Sequence, residues 1–139
     1  MGARSYTIDL YLFVICFFMV KYKVSYNKEC GGRMLKLCMT NDIPDREARA
    51  FDTTAYGTLF ITQRDGQFFA YKNICPHLQV ELEFLENEFL DQDKEFIQCS
   101  THGALFQVET GECISGPCLG ESLTVVPIQV HSDGGIYLA

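Results

Sequence analysis

The sequence predicts an all-β fold, a small antiparallel sandwich or barrel. Three observations carry this. Aromatic and β-branched residues gather in short runs, Asp and Gly turns separate those runs at regular spacing, and no stretch sustains the periodicity of a long helix. At 139 residues the chain can bury a real core within one domain.

The first 33 residues differ from the rest and read as an apolar extension ahead of a domain at 34–139. Residues 10–20, "LYLFVICFFMV", form an apolar run of eleven residues bounded by Asp9 and Lys21. A membrane span needs about 20 residues. Stretching the run over 8–26 would bury Lys21 and Lys23, which can snorkel. No small-residue cleavage site follows, and Tyr6 occupies the place where myristoylation requires Ser or Thr. Three readings stay open: a membrane-associating anchor, an extra element packed on the domain, or an extension upstream of a start at Met34.

From Met34 the elements follow in order. "MLKLC" is a strand, and "DIPDREARAF" is a loop entering a strand near Ala48 to Phe51. Residues 58–63 and 67–72 form a hairpin turning at Asp65-Gly66. A loop follows, "NICPHL". A second hairpin, "EFLDQDKEFIQC", turns at Asp91 to Lys94, and a third, "ALFQVETGECI", turns at Glu109 to Gly111. "LTVVPIQV" and "IYLA" close the chain as a hairpin, with Pro127 marking an edge strand or a bulge.

The net charge is −7, which repels nucleic acid and suits docking to a basic surface on another protein. The acidic run Glu81, Glu83, Glu86, Glu88, Asp91, Asp93 and Glu95 reads first as a solvated face and second as such a docking surface. Seven cysteines (Cys16, Cys30, Cys38, Cys75, Cys99, Cys113, Cys118) make an odd count. Metal-bound thiolates in a reducing cytoplasm explain that usage better than a disulfide framework.

Chemistry concentrates in two motifs. Cys75-x-His77 is followed, after 21 intervening residues, by Cys99-x-x-His102-Gly103. Residues two apart in an extended loop face one way, so Cys75 and His77 can share a site. Cys99 and His102 can do so across a turn, where Gly103 permits a backbone that strains larger residues. Zinc accepts two Cys and two His. Zinc fingers, however, present Cys-Cys and then His-His, whereas each loop here supplies one of each. A two-iron cluster with cysteines on one iron and histidines on the other wants that distribution.

"CPH" with "CSTHG" resembles the Rieske ferredoxins, whose [2Fe-2S] centre carries two histidines in place of two cysteines. The resemblance runs from about Met34 to Ala139 and includes the "TGE" turn and "SGPC" at 115–118. It implies a small Rieske-type sandwich or barrel, with a cluster-binding subdomain of two ligand loops and a proline loop. It implies one cluster per chain, with Cys75 and Cys99 on one iron and His77 and His102 on the other. Gly116 and Pro117 match the loop that covers the cluster, and Gly103, Ala104 and Phe106 would surround it.

Subtype follows from departures. Respiratory members carry an additional cysteine in each loop, joined as a disulfide, where this chain has Val80 and Thr101. They also carry hydroxyls where this chain has Ala104 and Phe106. The resemblance is therefore to the soluble, low-potential branch. It implies a one-electron carrier between a flavoprotein or ferredoxin reductase and a terminal oxygenase or other reductase, with no turnover alone. The rivals are the small subunit of a nitrite reductase, a zinc-stabilised interaction module, and an iron–sulfur sensor using Cys113 and Cys118 as redox-active thiols. Packing is the simpler role for those two residues. Cys38 reads as core, and His131 as a solvated turn residue.

Overall fold

The computed structural model describes residues 34–139. The expectations for residues 1–33, including an anchor at 8–26, lie outside the described residues. Among those described, no helix is long and apolar enough to cross a membrane. The strands are β1 (Lys36–Met39), β2 (Ala48–Thr53), β3 (Gly57–Arg64), β4 (Gln67–Lys72), β5 (Ile97–Gln98), β6 (Leu105–Phe106), β7 (Cys113–Ser115), β8 (Ile128–Val130) and β9 (Gly135–Leu138). They form three antiparallel three-stranded sheets, ordered β1-β9-β8, β2-β3-β4 and β5-β6-β7. This is a small antiparallel β fold, consistent with the expected sandwich.

The centre of the described domain is β3, because both of its faces are covered. Leu59, Phe60, Ile61 and Thr62 are all buried. Alternation along the strand sends Leu59 and Ile61 into one core with Ile43, Ala70, Val126 and Ile136. Phe60 points into the other core, where its ring stacks on Phe89 with centroids 4.2 Å apart. Cys75, Cys99, Cys113 and Cys118 belong to this second core. The β3–β4 hairpin turns at Asp65-Gly66 as expected, both at positive φ, and its ladder runs in register from Leu59↔Lys72 to Arg64↔Gln67.

Two expected strands are shortened for physical reasons. The hairpin across 88–99 contracts to a Leu90↔Ile97 bridge and the two-residue β5. Asp91 Oδ1 accepts the N–H groups of Glu95 and Phe96, drawing them from strand pairing into a side-chain-held turn. The segment "LTVVPIQV" divides at Pro127. Before it, Lys72 N–H donates to Thr124 O and Val126 N–H donates to Ala70 O. After it, β8 pairs with β9 at the edge of another sheet. Proline has no N–H to continue a ladder, so the switch falls where the donor is missing.

The acidic run is also less uniform than a solvated face. Glu95 pairs with Arg46 and, at 3.3 Å, with Arg64. Glu83 is half-buried, and burial raises its carboxyl above the ordinary range.

Candidate metal centre

Both motif-bearing loops are closed by the same pair of backbone hydrogen bonds. In the first, Cys75 N–H donates to Val80 O at 2.7 Å, and Gln79 N–H donates to Cys75 O at 2.9 Å. In the second, Cys99 N–H donates to Ala104 O and Gly103 N–H donates to Cys99 O, both at 2.9 Å. The fifth residue of each loop is left-handed, Gln79 at φ 58° and Gly103 at φ 68°. A Cβ on Gly103 would meet nothing within 4 Å, so that glycine serves backbone conformation rather than space.

The loops are fastened to each other and to the sheet beneath. Ser100 N–H donates to Leu82 O at 2.7 Å, and Leu82 N–H donates to Asn73 Oδ1 at 2.9 Å. Asn73 is buried at the end of β4, with its own N–H on Thr58 O. It was absent from the sequence-based candidates. The sole cue was a polar residue next to the first motif.

The four candidate side chains sort into two like pairs. Cys75 and Cys99 are buried, 1% and 2% exposed, and belong to the same core. Burial raises the Cys75 thiol above its ordinary value. Backbone N–H groups of His77 and Leu78 act in the opposite sense, and contact with Cys99 adds to the rise. His77 is half-buried and His102 exposed, and their rings meet edge to face with centroids 5.0 Å apart. Among the described residues, no three His, Cys, Asp or Glu side chains group so as to hold one metal ion. A two-and-two division is what a binuclear cluster requires of its protein ligands, and the donor set fits such a group.

The other candidates take distinct places. Gly116 has φ 109°, and a Cβ there would come within 2.8 Å of the Ala104 Cα, so the proline loop lies directly on the second motif loop. Ala104 and Phe106 are fully buried, and Phe106 pairs with Ile97 and Cys113 as part of the core. Val80 and Thr101 provide no thiols for a disulfide between the loops. Cys113 and Cys118 are buried, with sulfurs 3.0 Å apart. The Cys118 thiol is pushed up to about 12 by burial first, then by Cys113 and Cys75. Cys38 is half-buried on β1, and His131 is exposed against the Tyr137 ring.

Comparison with known proteins gives the family. The family model described as the Rieske [2Fe-2S] domain matches residues 33–130, which supports a single Rieske-type cluster. The chain is 31% identical to the 3-phenylpropionate/cinnamic acid dioxygenase ferredoxin subunit of Photorhabdus laumondii, over 75% of this chain and 91% of that protein. It is 35% identical to the biphenyl dioxygenase ferredoxin subunit of a Pseudomonas species, over 69% and 83% of the respective chains. A solved complex of reduced oxygenase and oxidised ferredoxin in carbazole 1,9a-dioxygenase contains a chain that matches with a TM-score of 0.62 and 27% identity, covering 76% of this chain and 92% of that one.

Proposed function

The chain belongs to the Rieske [2Fe-2S] domain family, and on that footing we propose that it carries single electrons from a flavoprotein or ferredoxin reductase to a terminal oxygenase. It is homologous to ferredoxin components of dioxygenase systems, and turnover resides in the partner. In this reading Cys75 and Cys99 hold one iron, and His77 and His102 hold the other. The bound cluster supplies reversible one-electron storage. The single observation that carries the assignment is the sorting of side chains, with both thiols in one buried core and imidazole beside imidazole towards the surface.

The chain's own residues then divide the work. The apolar core around Cys75 and Cys99 excludes water from the thiolate side. Backbone N–H groups of His77 and Leu78 stabilise negative charge on the Cys75 sulfur. The Gly116-Pro117 segment forms the cover of a cluster-binding subdomain. His77 and His102 give an electron its shortest exit to a partner, because they are the two ligands that reach the surface. Exposed Leu78, Val80, Phe84, Leu85 and Leu119 lie on the same loops or beside them, and form an apolar docking face for the oxygenase. The relatives named above favour this over the small subunit of a nitrite reductase.

The test is a redox titration of the purified protein followed by reoxidation with a dioxygenase terminal component. One electron per chain is expected. Because Ala104 and Phe106 supply no hydroxyl to the cluster, the potential should fall near about −150 mV rather than about +300 mV. A colourless protein with one zinc, or a potential well above zero, would overturn the reading.

A further inference from the structure

Cys113 and Cys118 have no part in the proposed ligand set, yet the fold presses them together. Their sulfurs lie 3.0 Å apart, and both residues are buried, 1% and 2% exposed. The contact does not depend on the thiols alone. Cys113 N–H donates to Glu121 O at 2.8 Å, Glu121 N–H to Cys118 O at 2.9 Å, and Gly120 N–H to Cys113 O at 3.3 Å. These bonds fix both ends of a short loop whose middle, Ser115-Gly116-Pro117, is exposed to solvent and rests on Ala104. Bonding the sulfurs at about 2.05 Å requires them to close by only about 1 Å.

We propose that Cys113 and Cys118 are a redox-convertible pair, in which an intrachain disulfide fastens the Gly116-Pro117 loop over the second motif loop. The oxidant is a low-molecular-weight disulfide such as oxidised glutathione. When the exposed Ser115-Gly116-Pro117 segment lifts, one thiol reaches solvent, loses its proton, attacks a glutathione sulfur as the thiolate and expels one glutathione thiolate. The second protein thiolate attacks the mixed disulfide and expels the other. The protein pair loses two electrons and two protons, and two reduced glutathione molecules carry them away. Preset contact makes the second step intramolecular and fast. The closed pair ties β7 to the far side of the loop, so opening above Ala104 is restrained and the iron site is shielded. This bond lies within the covering loop, whereas Val80 and Thr101 leave the two motif loops unbridged.

The test equilibrates full-length holoprotein with glutathione buffers of graded ratio, quenches in acid, alkylates and digests with a protease that cuts after glutamate. Cleavage at Glu112 and Glu121 releases residues 113–121, which carry both cysteines and no other thiol. In oxidising buffer this peptide should be two hydrogens lighter and unalkylated, with iron content unchanged. In reducing buffer it should take two alkyl groups. Iron release to a chelator should be several-fold slower from the oxidised form. Cys118→Ser should remove that dependence on the glutathione ratio. Two alkylated thiols at every ratio, persistent glutathione adducts, or iron release indifferent to closure would overturn the proposal. It rests on the electron-carrier reading only for the shielded group. Failure of that reading would show in the iron content, and failure of this one in the peptide mass.

Discussion

The loop at 75–80 and the loop at 99–104 share a backbone frame but not a sequence. Each opens with a cysteine whose N–H bonds to the carbonyl five residues on, and whose carbonyl accepts from the residue four on. Their histidines stand at different places, the third residue in the first loop and the fourth in the second. The left-handed position holds Gln79 in one and Gly103 in the other. Support differs too. The first loop leads into Leu82, which Asn73 and Ser100 hold by hydrogen bonds, while the second is covered by Gly116 on Ala104. The lesson is that the frame gives the two cysteines equivalent backbone positions. The unequal residues then decide strain, anchoring and how far each imidazole reaches the surface.

The largest effect should come from removing a ligand, and it should be the same for either loop. Cys75→Ser, Cys99→Ser, His77→Ala and His102→Ala should each abolish the assembled cluster, read as loss of visible absorption and of iron. A variant of one loop that kept its cluster would break the equivalence.

Anchoring should separate the loops next. Asn73→Ala removes the acceptor for Leu82 N–H, and leaving such a buried donor unpaired costs about 1–3 kcal/mol. Denaturant unfolding of the apoprotein measures it. The first loop should also gain hydrogen-exchange rate ahead of the second.

Strain is the smaller difference. Gly103→Ala places a side chain in the left-handed region without a clash and should cost about 1 kcal/mol. Gln79→Gly relieves similar strain but loosens the unfolded chain, so the net change should stay within about 0.5 kcal/mol of zero. Equal losses from the two substitutions, in the same unfolding assay, would show that the frames are not equivalent.

A further effect lies outside both loops and calibrates them. Burial raises the Cys38 thiol from 9.0 to about 11. The folded chain therefore keeps a proton that the unfolded chain has released, and this contribution weakens as pH climbs between those values. Cys38→Ala should flatten the fall of apoprotein stability in that window, and an unchanged slope would contradict it.

Much of this was legible in the sequence. The β3–β4 hairpin was readable because an Asp-Gly turn divides two runs of strand formers. The two Cys/His motifs were readable because cysteine and histidine recur at short spacing. What escaped depends on long-range contacts. Asp91 takes the N–H groups that a longer hairpin would pair, and Pro127 switches sheets only because β4 and β9 lie to either side. The pairing of Glu95 with Arg46 and Arg64 joins residues far apart in sequence, so a charge run alone could not reveal it. Nor could spacing show that Cys113 and Cys118 touch rather than merely pack.

The central claim is the division of thiols and imidazoles between two irons, and nitrogen hyperfine spectroscopy of the reduced protein tests it most directly. Protein labelled with nitrogen-15 histidine should show couplings from two imidazole nitrogens, and His77→Ala or His102→Ala should remove them with the cluster. A paramagnetic cluster without nitrogen coupling would mean that Cys113 and Cys118 join Cys75 and Cys99 as ligands, and would contradict the account.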